Sequence, residues 1–225
     1  LGPRDHVWYF AQHHAIADAW STSLAFRRLS ELYAQMEQGD EPRELSPRDY
    51  RDYLDFEDRA SRSSSFQKAA TYWQETVQEF GDAAPGLYGL RSTGSQGSAT
   101  TRRSTRTDRL TFRVGAERSR RIRELSQSAD FRGLTDDVSR FHVFAVALFS
   151  LLRRVGEEAP GLSLLTPVHN RSSRAFKETL GVFIEVLPLM VQPAAEDSFL
   201  DLAGRVQRAM RGLVGHALPG ISGAV

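Results

Sequence analysis

Two adjacent histidines followed by an aspartate, His13, His14 and Asp18, are the residues of this chain best suited to acid–base chemistry. Imidazole titrates at about pH 6.5, so a neutral histidine accepts a proton from an amine or hydroxyl near physiological pH, worth roughly 10²–10⁴ in rate when the group is well placed. Asp18 lies one helical turn beyond His14, near enough in sequence to support such a base. The same residues also fit a plain structural role, a histidine capping a strand end and Asp18 in a first helical turn, where a carboxylate favours the helix dipole. Spacing alone does not choose between them.

The remaining chemistry-bearing residues are fewer. His169 and Asn170 stand beside Arg171 at the end of an apolar run, where they fit either a ligand-facing edge or a loop hydrogen bond. His142 sits on an apolar stretch and reads as a core or interface histidine. Arg102, Arg103 and Arg106 lack interleaved aromatics, so a solvated linker fits them better than a nucleic-acid patch. No glycine-rich phosphate loop follows a strand, and no cluster has metal-ligand spacing, so no metal site is expected. With no cysteine, a disulfide framework, thiolate zinc sites and a cysteine nucleophile are all excluded. That composition is compatible with a reducing cytoplasm, the expected location.

The elements that must position these residues follow from pattern. Val7 to Gln12 is a β-branched and aromatic run that predicts a buried strand ending in the two histidines. From Ile16 the period changes, and Ile16, Trp20, Leu24, Leu29, Leu32 and Met36 fall near one face of a helix stopping before Gly39. Ser46-Pro47 predicts the cap and first position of a second helix carrying Tyr50, Tyr53 and Leu54, and a third covers about 65–80. A Gly, Ser, Thr and Arg stretch predicts a linker, taken as 91–109. Beyond it come a strand at 109–114, a charged helix at about 116–129 and a helix at 136–155 that is apolar on most of its circumference. Strands at 162–168 and 182–191 and a helix at 200–214 complete the pattern, with Pro188 predicting an edge, bulge or crossover. Strands alternating with helices place the chain in the α/β or α+β class, as a two-layer sandwich. The length of 225 residues, net charge of +1 and 40% apolar content fit a folded chain with no general drive toward nucleic acid or an anionic membrane. The apolar run from Val143 to Leu152 is too short to span a membrane of about 30 Å.

The string His13-His14-Ala15-Ile16-Ala17-Asp18-Ala19-Trp20-Ser21 resembles the His-His-x-x-x-Asp-Gly-x-Ser motif of condensation domains from nonribosomal peptide synthetases. Tyr50-Arg51-Asp52-Tyr53 and Tyr72-Trp73 look like two further segments of that family. Thr166 to Arg171 and Gly181 to Leu189 resemble its later strand ending in Arg and its Gly-x-Phe-(Val/Ile)-Asn-Thr-Leu-Pro-Leu stretch. The order and spacing agree over nearly the whole chain. A complete member is longer, so the chain is expected to be truncated at both ends, and by itself inactive and self-associating.

The resemblance implies incomplete chloramphenicol-acetyltransferase-like lobes around a tunnel: 1–90 closing the N-terminal lobe, 91–109 a linker or crossing, and 110–225 part of the C-terminal lobe. It implies formation of an amide between a donor thioester and an acceptor amine, both on the phosphopantetheine arms of carrier proteins, with adjoining synthetase modules as partners and no cofactor bound directly. His14 would be the catalytic base or a positioning partner, His13 a loop support, and Asp18 a structural partner of Arg171 or Arg174. Trp20, His169, Asn170 and Glu185 would line the tunnel. Two residues depart from the pattern. Ala19 replaces glycine, adding a β-carbon beside His14, and Glu185 replaces a neutral amide, which implies an unusual substrate or a surface position. An ester-forming or epimerising relative, or a silent domain that recruits carrier proteins or tailoring enzymes, carries similar motifs.

Overall fold

Asp18 and Asp49, each extended in its own backbone, start the first two helices, because a carboxylate at an N-cap accepts the helix's unpaired first-turn N–H groups. In this computed structural model, which describes residues 2, 6–41, 48–80, 108–155, 161–171 and 174–225, Asp18 accepts from the Ser21 N–H and opens α1 (Ala19–Glu37). Asp49 accepts from the Arg51 N–H and opens α2 (Tyr50–Ser61), in place of the expected start at Ser46-Pro47, which lies outside the described residues. The order continues α3 (Ser64–Phe80), α4 (Ala116–Ser126), α5 (Asp136–Val155), β1 (Leu162–His169), β2 (Ile184–Val191) and α6 (Phe199–Gly215). Short 3-10 turns occupy Arg174–Phe176 and Ile221–Ala224.

β1 and β2 pair as a two-stranded sheet. The Asn170 N–H donates to Phe183 O at one end, and a β-carbon on Gly161 would approach Gln192 Cγ at the other, so the strands run antiparallel. Pro188 falls inside β2, where its missing N–H is tolerated because each strand of a two-stranded sheet is an edge. The expected strands at 7–12 and 109–114 are not strands here. Tyr9, Leu110 and Phe112 are at least four-fifths exposed (85%, 80% and 81%). β-Propensity describes how well a residue suits a pleated, half-buried surface, and without a neighbouring strand among the described residues no ladder forms. Trp8 and Phe10 pack instead on Phe26 of α1.

The described chain forms two compact units interleaved along the sequence: residues 1–74, 167–187 and 216–225 in the first, 75–166 and 188–215 in the second. This differs from a consecutive division near residues 90 and 110, and most of the 91–109 stretch lies outside the described residues. Both strands cross between the units at mid-length, at Thr166–Pro167 and Leu187–Pro188. In the second unit α5 packs on α4 and α6. It buries His142, Val143, Ala145, Val146 and Phe149 but leaves Phe141, Phe144, Leu148 and Leu151 exposed, so only one face of the apolar helix is covered. His142 is a core histidine, its Nε2 2.9 Å from Ala203 O and its Nδ1 3.3 Å from Phe131 O. In the first unit Tyr53, Phe176 and Phe183 form a buried cluster, flanked by Tyr50, Phe56 and Ala175. Of the face expected for α1, only Leu24 is buried; Ile16, Trp20, Leu29 and Met36 are exposed.

Candidate active site at the paired histidines

The two histidines lie on a tight turn, closed by the Ile16 N–H donating to His13 O at 3.1 Å. His13 bends back on this turn, its Nδ1 accepting from the Ala15 N–H at 3.1 Å. His14 is exposed, and its imidazole makes no hydrogen bond to a described residue. The turn then dives inward at Ala17 and Asp18, which are 8% and 4% exposed.

Asp18 is the hub below the turn. Its Oδ1 caps α1 through the Ser21 N–H at 2.8 Å, and its Oδ2 accepts from the Phe183 N–H at 3.1 Å. Arg171 Nη2 reaches both oxygens, at 3.2 and 3.4 Å, and donates to Ser21 Oγ at 2.8 Å. Nη1 donates to Phe176 O and Thr179 O, at 2.9 and 2.6 Å. Arg171 Cζ lies over the Phe183 ring, 3.7 Å from its centroid, a cation on an aromatic face. Arg171 is therefore the ion-pair partner of Asp18, while Arg174 is exposed.

Burial by itself would raise the Asp18 carboxyl, but the Ser21 and Phe183 N–H groups, the Ser21 hydroxyl and the Arg171 charge hold it below the usual carboxylate range. Burial also pulls the Arg171 guanidinium down from its ordinary value against the Asp18 charge. Arg171 remains the cation of the pair, since arginine stays protonated throughout the working pH range. A folded-state carboxyl below its unfolded value of about 3.9 stabilises above that pH and loses its contribution as pH falls through the folded value. Acid unfolding below about pH 4 is thus expected to be steeper in the wild type than in Asp18→Asn. Equal slopes in a denaturation series across this range would exclude Asp18 as the source.

Trp20, in the first turn of α1, donates from Nε1 to Lys177 O at 3.0 Å, and its ring centroid lies 5.8 Å from that of His169. Both rings are exposed, whereas Asn170 is buried and its Nδ2 has no partner among the described residues. No group of three or more His, Cys, Asp or Glu that could hold a metal occurs among the described residues. No described helix is long and apolar enough to cross a membrane.

A buried ion pair ties the His-His turn to a strand-end arginine, the arrangement that the family resemblance implied. The condensation domain model matches residues 1–218. This chain belongs to the condensation domain family. Over 210 residues it is 26% identical to tyrocidine synthase 3 of Brevibacillus parabrevis, covering 92% of this chain and 3% of that one. Over 216 residues it is 27% identical to the dimodular nonribosomal peptide synthase of Bacillus subtilis (strain 168), covering 92% and 8%. The first condensation domain of the CDA synthetase superposes with a TM-score of 0.68 at 21% identity, over 91% of this chain and 42% of that one. The fold is accordingly the chloramphenicol-acetyltransferase-like fold of condensation domains, and the chain spans less than half of that solved domain.

Both departures from the condensation-domain pattern acquire a physical reading. Ala19 is the first residue of a regular α-helix and is exposed, so its β-carbon brings no backbone strain. Glu185 is not at the surface: it is 5% exposed, and its two oxygens accept from the Gly220 and Ser222 N–H groups, at 2.7 and 3.0 Å.

Sequence reasoning missed how much of the site rests on Ser21 and Gly181. Ser21 Oγ donates to Gly181 O at 2.7 Å and accepts from the Gly181 N–H at 3.0 Å, while the Asp18 N–H donates to the same carbonyl at 3.4 Å. Gly181 stands at φ +157°, and a β-carbon there would lie 2.1 Å from Tyr50 Cδ2. Tyr50 cannot easily yield, because its hydroxyl donates to Val182 O at 2.5 Å. Gly181→Ala is expected to cost roughly 1–3 kcal/mol, as overpacking does elsewhere. A denaturant midpoint indistinguishable from wild type would show that the Tyr50 ring moves freely. The signal was the glycine opening the 181–189 stretch, but its partner Tyr50 lies far away in sequence.

Proposed function

We propose that this chain supplies the His-motif part of a condensation domain that joins a thioester donor and an amine acceptor, each carried on the phosphopantetheine arm of a carrier protein. The observation that carries the reading is an exposed His14 imidazole, without a hydrogen bond to described residues, above a buried Asp18–Arg171 pair. An exposed ring with no partner among the described residues is open to a transient amine substrate, and an interaction that strengthens in the transition state lowers the barrier. The amine nitrogen attacks the thioester carbonyl carbon, a C–N bond forms, the C–S bond breaks, and one proton passes from nitrogen to the departing thiolate. In this reading His14 hydrogen-bonds the attacking amine and accepts its proton. The balance needs no redox or metal cofactor.

In this reading the partners are the donor and acceptor carrier proteins and adjoining synthetase modules, with Trp20, His169 and Asn170 near the path of the arms. Support comes from the family match and from multimodular synthetases among the relatives. The test is single-turnover transfer in the full protein, with one carrier loaded as an acyl thioester and the other as an aminoacyl thioester. Mass detection of an amide on the acceptor arm is expected. An ester with a hydroxy acceptor but no amide, or carrier binding with no transfer, would overturn it.

A further inference from the structure

Glu185 is a buried charge on the inward face of a strand. Along β2 it shares a side with Leu187, Leu189 and Val191, all nearly fully buried. A carboxylate at such a position is costly unless both oxygens are engaged. Here both are, and both partners are backbone N–H groups of the 216–225 segment.

That segment is held at three further points, all in the same unit. The Trp73 Nε1–H donates to His216 O at 3.1 Å, and the His216 ring stacks on Tyr72 with centroids 3.8 Å apart. Gly220, at φ +77°, lies against Glu57 of α2. Burial, followed by the Glu57 charge, pushes the Tyr53 phenol above its ordinary range. Tyr53 packs 4.2 Å from Phe183, centroid to centroid. Phe183 is two residues before Glu185, and its N–H is one of the groups that orient Asp18.

We propose that Glu185 is a positioning residue: by clasping the 216–225 segment it fixes the start of β2, hence the Phe183 amide, the Asp18 carboxylate and the His13–His14 turn. The inference rests on the acyl-transfer reading of the same site. Without the clasp, the Gly220 and Ser222 N–H groups and the carboxylate must all find water, and the strand end follows them. The Asp18 carboxylate then loses a fixed donor, and the turn above it shifts. Small displacements of this kind are enough to slow chemistry without unfolding the protein.

The experiment compares wild type, Glu185→Gln and Ser222→Pro in the full protein. Glu185→Gln keeps the shape but turns an amide NH₂ toward an N–H donor; Ser222→Pro removes one donor and leaves Glu185 intact. Hydrogen exchange at the Gly220, Phe183 and Ser21 amides, and at Ser222 in the proteins that keep that amide, together with steady-state transfer between loaded carriers, are the readouts. Both variants are expected to speed exchange at Phe183 and Ser21 as well as in the segment. Both should lower kcat by about tenfold with an unchanged KM for the donor carrier. The double variant should be no slower than Glu185→Gln, as for two members of one interaction. Loosening confined to residues 220–223, with Phe183 still protected or kcat unchanged, overturns the proposal. If the wild type itself makes no amide, the acyl-transfer reading falls, while the exchange data still decide whether Glu185 holds Phe183 and Ser21.

Discussion

Replacing His14 by alanine is expected to lower amide formation by roughly 10² or more, the scale of a well-placed proton acceptor. The loss should appear in the single-turnover rate and not in carrier affinity, because His14 is exposed on its turn while the groups that shape the turn lie beneath it. The turn itself should survive. It is closed by the His13 carbonyl and ring and by the Asp18 cap, none of which uses the His14 side chain. Quenched-flow transfer between loaded carriers, with thermal melting as control, separates the two effects. A variant that transfers at near-normal rate would remove His14 from the centre of the reaction. A variant that melts early would mean the ring has a structural partner.

The second large effect is on stability. Removing one member of a buried ion pair commonly costs about 3–5 kcal/mol, because the other charge is left without a partner in a dry environment. Asp18→Ala leaves the Arg171 guanidinium facing Ser21 and carbonyl oxygens only, strips the cap from α1 and orphans the Phe183 N–H. For a chain of this length such a loss lowers the melting temperature on the order of 10 °C. Asp18→Asn keeps an oxygen for the cap but lacks the charge, so it should fall between wild type and alanine. Arg171→Lys should resemble a deletion, because an ammonium cannot serve Asp18, Phe176 O and Thr179 O from one planar fork. An Asp18→Ala protein that melts like wild type yet transfers slowly would reassign Asp18 from support to chemistry. Activity lost in proportion to folded protein supports the structural role.

The amino-acid sequence by itself determined the helices α3 to α6 to within a few residues and the pair β1 and β2, because each carries a strong local period bounded by Gly, Pro or a cap. It also placed His13, His14 and Asp18 in one motif, since their spacing is a local property of the chain, while Arg171 and Arg174 entered only through the family resemblance. What it misjudged depends on neighbours. The 7–12 and 109–114 runs have the composition of strands, yet a ladder needs a second strand beside it. The apolar circumference of α5 suggested burial on several sides, while only the face toward α4 and α6 is covered. The tertiary structure alone decided that Arg171 and not Arg174 reaches Asp18, and that Ser21 and Gly181 share reciprocal hydrogen bonds. It alone showed that Glu185 grips residues 220 and 222. The reason is common to all three: a buried polar group must find its partner wherever the fold brings one, and in each case the partner lies tens of residues away, where no local pattern records it.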